Sequence, residues 1–168
     1  YQKKLTSQNS AMTSLVTVRR NKLKRKIDWI IHAVSNGIAC ADCGKIEKSF
    51  IPGACNFHTH GLAKYGHPDL QIVIEYPPQE IARILNTIGL RIQDGTRFAA
   101  GDLVKGIYED CDVRLDTFEE TGRNVLRVII PDKFNRYPED PNCEYPYNLQ
   151  VFPTEMLLDA PSQPMTMS

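Results

Sequence analysis

The sequence lacks the features that would assign the protein to a membrane or to the secretory route. No apolar run among its 168 residues is long enough to cross a bilayer, and no signal-peptide core is present. The 20 basic and 20 acidic side chains cancel, so the overall charge gives a polyanion no general attraction. These absences predict a cytoplasmic protein without a membrane partner, and they argue against a nucleic-acid partner.

The sequence also lacks the short motifs that name a reaction. It has no nucleophile elbow, no Gly-rich phosphate loop and no paired-carboxylate motif. Its length fits one domain. We therefore expect a single globular domain over residues 13–158, preceded by a tag or disordered lead over residues 1–12 and followed by a disordered tail over residues 159–168.

Cysteine is present in an odd number, five, which favours free or metal-bound thiols in a reducing compartment. Cys40 and Cys43 form a Cys-x-x-Cys turn ending in Gly44, which is typical of half a structural zinc site. No second such turn follows, so Cys55, His58 and His60 are the candidates for the remaining zinc ligands. Two alternatives stay open for the turn: a reduced thiol pair without metal, or a redox pair.

Three of the four histidines lie between residues 58 and 67. If residues 55–60 form a strand, Asn56, His58 and His60 share one face, with the two imidazoles roughly 7 Å apart at the backbone. That spacing lets both rings reach one metal ion or one small anion. Gly61 and Gly66 permit sharp turns that would return His67 to the pair. The alternative is a half-buried strand with no ligand.

Hydrophobic periodicity predicts an α+β domain: a mixed, mainly antiparallel sheet with two principal helices packed on it. Helices are expected over residues 21–35, where His32 would be a boundary residue, and 78–93. The basic run over residues 19–26 would be a solvated helix face or, less favoured, a phosphate contact. Strands are expected over residues 55–60, 70–76, 103–108, 110–116 and 124–130.

The predicted core consists of the apolar positions on one face of these elements. A proline-rich loop over residues 131–147 is expected to cover the histidines. The predicted core residues are Ile72, Ile74, Ile81, Ile84, Leu85, Ile88, Val113, Leu115, Val128 and Ile130.

Two short blocks resemble a known family. The block around Thr59, Gly61 and Leu62 is followed by Gly66-His67-Pro68-Asp69. Together they resemble the bacterial domain-of-unknown-function family numbered four-two-six-two, over about residues 27–130. The resemblance implies an uncharacterised protein without an assigned activity. It singles out His67, and it implies no family-wide zinc site at Cys40 and Cys43.

These observations favour a small binding module with a His/Cys-rich site, with zinc as the candidate cofactor and a small molecule or a protein as the partner. The ligand-binding candidates are Asn56, His58, His60 and His67. The alternative is a metal-dependent or histidine-assisted hydrolase or lyase, in which His58, His60 or His67 is the general base or a metal ligand. A weaker alternative is nucleic-acid binding through residues 19–26.

Overall fold

A mixed sheet organises the chain in the computed structural model, which describes residues 25–34 and 50–158. Over these residues the sheet has six strands in the order β1-β2-β3-β6-β5-β4. β3 and β6 pair in parallel, and the other neighbours are antiparallel. The strands are β1 (Ile30–Val34), β2 (Ala54–His60), β3 (Asp69–Ile74), β4 (Leu103–Val104), β5 (Val113–Glu120) and β6 (Arg123–Ile129).

One α-helix, α1 (Pro78–Gln93), packs on the sheet. Pro78 occupies its first turn, where a missing N–H costs no hydrogen bond, and Gly95 follows its end with φ of 105°. The helical bounds and the buried stripe match the prediction for residues 78–93. Its buried residues are Ile81, Ile84, Leu85, Ile88, Gly89 and Ile92.

The main core lies between α1 and one face of the sheet. Alternation along the strands places Leu70, Ile72 and Ile74 of β3 in this core, together with Leu126 and Val128 of β6. All ten predicted core residues are buried. The intervening residues of β3 and β6 face the opposite side, where Val73 packs with Leu149 and Leu157. Two 3-10 segments, Tyr147–Val151 and Thr154–Leu157, contribute the last two of these residues.

The predicted helix over residues 21–35 is wrong where the structure describes it. Ile30–Val34 is an edge strand that pairs antiparallel with β2, with His32 opposite His58. Ile30, an apolar residue within the predicted helix, is 56% exposed. The apolar residues of this segment also fit the alternation of a short strand. Pairing with β2 selects the strand over the helix. Over residues 25–34 and 50–158 the fold is therefore α+β with one principal helix, not two.

Two strands differ from their predicted bounds: one is shorter, and the other begins and ends later. The predicted strand 103–108 is reduced to Leu103–Val104, and the predicted strand 110–116 becomes Val113–Glu120. Acidic Glu119 and Glu120 are the last two residues of β5. The turn to β6 is Thr121-Gly122, with positive φ at both residues, which suits a tight hairpin. The other strands lie within two residues of their predicted bounds.

The loop over residues 131–147 is built around Asp132 and docks beside β5. The Asp132 carboxylate accepts hydrogen bonds from the backbone N–H groups of Phe134, Arg136 and Glu144. Tyr137 reaches the carbonyl of Asp112. The contact with Asp112 does not test whether this loop covers the histidine strand, so that cover stays a prediction.

Several predictions fall on residues that the structure does not describe: the lead, the tail, Cys40 and Cys43, and most of the basic run. Of that run, Arg25 and Lys26 are described, and Arg25 pairs with Asp94 at 2.6 Å. Cys55, Cys111 and Cys143 are free thiols. None of the described helices has the length and apolar character needed to span a membrane.

Candidate metal centre

Three histidines meet on the face of the sheet opposite α1. His32 stands directly across from His58 in the antiparallel pair β1–β2, and His60 follows two residues along β2. Directly paired residues, and residues two apart, point to the same face. The ring centroids of His32 and His60 are 4.4 Å apart, and those of His58 and His60 are 4.7 Å apart. One ligand nitrogen from each ring lies within 4.8 Å of the other two.

The spacing of two of these nitrogens is close to that of a shared metal. His58 Nε2 lies 2.9 Å from His60 Nε2. Zinc binds imidazole nitrogen at about 2.0 Å in tetrahedral geometry, which separates neighbouring ligand nitrogens by about 3.3 Å. A small adjustment of the two rings would therefore accommodate the ion. The alternation of Asn56, His58 and His60 on one face agrees with the prediction from the sequence.

His58 is kept neutral by its surroundings. Its side chain is completely buried, and burial lowers the pKa of the imidazole to about 4, against the opposing attraction of the Glu120 carboxylate. Metal ions bind the neutral imidazole. At neutral pH, His58 is therefore already in the form that a metal needs.

A buried carboxylate lies beside the histidines. Glu120 Oε1 is 3.8 Å from His58 Nδ1, and Glu120 Oε2 accepts a hydrogen bond from Arg123. Burial alone would raise the pKa of Glu120, but the Arg123 guanidinium and a hydrogen bond from Thr121 hold it below its usual value. Among the described residues, no group hydrogen-bonds Oε1. An ionised carboxylate thus faces the side of His58 away from His60.

Polar side chains continue from the histidines across β3 to β6, and we call them the polar row. Gln71 Nε2 donates to Asn56 Oδ1 at 3.1 Å, and Arg127 Nε donates to Gln71 Oε1 at 2.9 Å. The polar row comprises His32, Asn56, His58, His60, Gln71 and Arg127.

Arg127 is a buried cation held largely by oxygen atoms that carry no formal charge. Its side chain is fully buried, with the guanidinium 3.5 Å from the centre of the Phe118 ring. Burial lowers its pKa to about 9. Beyond Gln71 it donates to the carbonyl of Gln150 at 2.9 Å and to Thr154 Oγ1 at 3.0 Å. Residues 150–154 thus contact the end of the polar row formed by Gln71 and Arg127.

His67 is placed away from the three histidines by its own hydrogen bonds. Its Nδ1–H donates to the carbonyl of Pro68 at 2.7 Å, and its Nε2 accepts the backbone N–H of Phe98 at 3.2 Å. Both ring nitrogens are used, so His67 ties the turn before β3 to the segment after α1. The Gly61 and Gly66 turns do form, with φ of 120° and 67°, but they direct the chain elsewhere.

Cys55 is also separated from the three histidines. Its thiol lies in the main core and donates to the carbonyl of Ile74 at 3.1 Å. Burial raises its pKa to about 12, which disfavours the thiolate that metals bind. Strand alternation explains the separation, because residues 55 and 58 point to opposite faces. The structure brings together His58, His60 and Asn56 from the predicted set, and not Cys55 or His67.

Sequence reasoning missed four residues of this region. The sequence predicts His32 at the edge of the apolar face of a helix, although Ile30, His32 and Val34 alternate as a strand would. Arg127 is a single basic residue inside an apolar run, which is itself a signal of a buried polar contact. Gln71 and Glu120 carried no signal in the sequence, since their roles depend on neighbours distant along the chain.

Comparison with known proteins gives one match. The family model described as "Domain of unknown function (DUF4262)" matches residues 27–144, which include every strand of the sheet and α1. No curated protein and no solved structure matches the chain.

Proposed function

The chain belongs to the DUF4262 family, as its motifs predicted, and on that premise we propose that it binds a divalent transition metal, zinc above all, through His32, His58 and His60. The observation that carries the proposal is the convergence of one nitrogen from each ring within 4.8 Å. Imidazole suits zinc, copper, nickel and iron, whereas calcium and magnesium prefer oxygen ligands.

The surroundings of the three histidines favour a metal site over a histidine cluster that only stabilises the fold. Each neutral imidazole has one donor and one acceptor to satisfy, so three together are a poor way to fill space. His58 carries Asn56 and Glu120 on its Nδ1 side, and a ligating histidine commonly has such oxygen partners there. We infer a small cytoplasmic binding module, a reading in keeping with the free thiols of the described cysteines.

The test is metal content and affinity of untagged protein purified without chelator. We expect about one equivalent of zinc, and we expect His60→Ala to weaken zinc binding by more than about 100-fold, since losing a direct ligand exceeds the 10–100-fold cost of losing its supporting partner. His67→Ala is the matched control, because His67 is engaged by Pro68 and Phe98 and should leave zinc affinity unchanged.

Elemental analysis would measure the zinc content, and calorimetric titration would measure the zinc affinity. Wild-type protein without zinc affinity, or equal affinity in both variants, would contradict the proposal. A double variant that carries both Cys40→Ser and Cys43→Ser tests the two cysteines that were predicted as zinc ligands. Unchanged zinc affinity would assign the site to the three histidines.

A hydrolase is the second candidate, favoured by the number of protein ligands. Three histidines leave a coordination position for water, and bound zinc lowers the pKa of that water to about 7. In that case the zinc-loaded protein should hydrolyse p-nitrophenyl acetate faster than free zinc, and His60→Ala should remove the difference. A rate equal to that of free zinc would restrict the function to binding.

A further inference from the structure

Three hydrogen bonds connect a buried arginine on β6 to a histidine on β2. Arg127 Nε–H donates to Gln71 Oε1 at 2.9 Å, and Gln71 Nε2–H donates to Asn56 Oδ1 at 3.1 Å. Asn56 Oδ1 lies 3.2 Å from His58 Nδ1. The series is buried and crosses β3 between its two ends.

The direction of each bond follows from the first. A guanidinium can only donate, so the atom of Gln71 that faces Arg127 is its carbonyl oxygen. The NH₂ group of Gln71 then faces Asn56, so the atom of Asn56 that it meets is the carbonyl oxygen. An oxygen that accepts from Gln71 also accepts from His58. The proton of His58 therefore lies on Nδ1, and the lone pair lies on Nε2.

Glu120 supports the same proton position independently. Its Oε1 lies 3.8 Å from His58 Nδ1, and a negative charge on that side of the ring attracts an N–H and repels a lone pair. The opposite nitrogen, Nε2, is the one that faces His60 Nε2 at 2.9 Å.

We infer that Arg127 and Gln71 are positioning residues that hold His58 in its Nδ1–H tautomer, so that Nε2 presents its lone pair to the metal. The part of this inference that concerns metal affinity rests on the proposed function. The part that concerns the tautomer does not, because it is a property of the metal-free protein.

Two substitutions that each replace a buried amide by a carboxylate should have opposite effects on the position of the His58 ring proton. In Gln71→Glu, the new carboxylate accepts from Arg127 but has no N–H for Asn56. The Asn56 amide should then reverse and donate to His58 Nδ1, which moves the proton to Nε2. In Asn56→Asp, the carboxylate accepts from both Gln71 and His58, so the Nδ1–H tautomer should persist.

The first measurement is the tautomer of His58 in metal-free protein, read from the nitrogen chemical shifts of ¹⁵N-labelled histidine. We expect Nδ1–H in the wild type and in Asn56→Asp, and Nε2–H in Gln71→Glu. Nε2–H in the wild type, or Nδ1–H retained in Gln71→Glu, would overturn the inference. The wild-type measurement can overturn the inference even if a variant fails to fold.

The second measurement is zinc affinity. Gln71→Glu should bind zinc at least about 10-fold more weakly, as expected when the support of a ligand is lost, although its added negative charge would by itself attract the cation. Asn56→Asp should bind at least as well as the wild type. Equal binding by Gln71→Glu would overturn the inference and leave the proposed function standing. Wild-type protein that has the expected tautomer but no zinc affinity would contradict the proposed function and leave the inference about the tautomer standing.

Discussion

Gly89 lies beneath the only tryptophan of the chain. A Cβ added at this position would meet Trp29 Cζ2 at 2.5 Å and Cε2 at 2.8 Å, closer than real contacts allow. The indole ring is held in place by its Nε1–H, which donates to Asn86 Oδ1 at 3.0 Å. The absence of a side chain at residue 89 therefore allows Trp29, the residue before β1, to pack on α1.

Gly89→Ala should consequently destabilise the protein even though it improves helix propensity. The helical gain is about 1 kcal/mol, and overpacking costs about 1–3 kcal/mol. We expect a lower free energy of unfolding together with a red-shifted Trp29 emission, because the ring must leave its buried position. Gln79→Ala, exposed in the same helix, is the control. A Gly89→Ala protein that is more stable than wild type, with unchanged emission, would contradict this packing.

At the scale of elements, the loop over residues 131–147 depends on one carboxylate. Burial alone would raise the pKa of Asp132, but the backbone N–H groups of Arg136, Glu144 and Phe134, with the Arg136 side chain, lower it to about 2. An unfolded aspartate has a pKa of about 3.9. Ionised Asp132 therefore contributes stability that is complete above pH of about 4 and is lost as the pH falls through about 2.

Urea unfolding of the wild type and Asp132→Asn across this interval tests the linkage. The variant should be less stable than wild type at neutral pH, and the difference should shrink as the pH falls from about 4 to about 2, where Asp132 itself becomes protonated. A difference that stays constant across the interval would mean that Asp132 acts without its charge.

At this scale, a structural feature could be predicted when the residues that determine it lie close together along the chain. α1 is specified by its own stripe, by Pro78 and by the turn at Asp94-Gly95, so its bounds followed from the sequence. The face shared by His58 and His60 followed from alternation within β2. β1 could not be predicted, because residues 27–34 fit two periods and β2 selects between them. Glu120 and Arg127 reach the site only through pairing of β5, β6 and β3.

At the scale of the whole molecule, the six described strands form one continuous sheet with the main core along one side. Because β1 and the C-terminal segments pack on the same sheet, we expect one cooperative unfolding transition. Trp29 emission reports β1, and far-UV circular dichroism reports the sheet and α1, so their denaturant midpoints should coincide. Separate midpoints would show that the β1 edge unfolds on its own.

The parallel pair β3–β6 joins two halves of the sheet that are otherwise antiparallel, and it sets an order of assembly. Each half pairs strands that are neighbours in sequence, whereas β3 meets β6 across α1, β4 and β5. Long-range pairing of this kind is slow, because the entropy of the intervening chain is lost before the contact forms. The three histidines belong to the first half, and Arg127 and Glu120 belong to the second. A newly made chain would therefore gather its imidazoles early and settle the ring proton of His58 only when the halves join, so that the proposed metal site would be completed in the last step of folding.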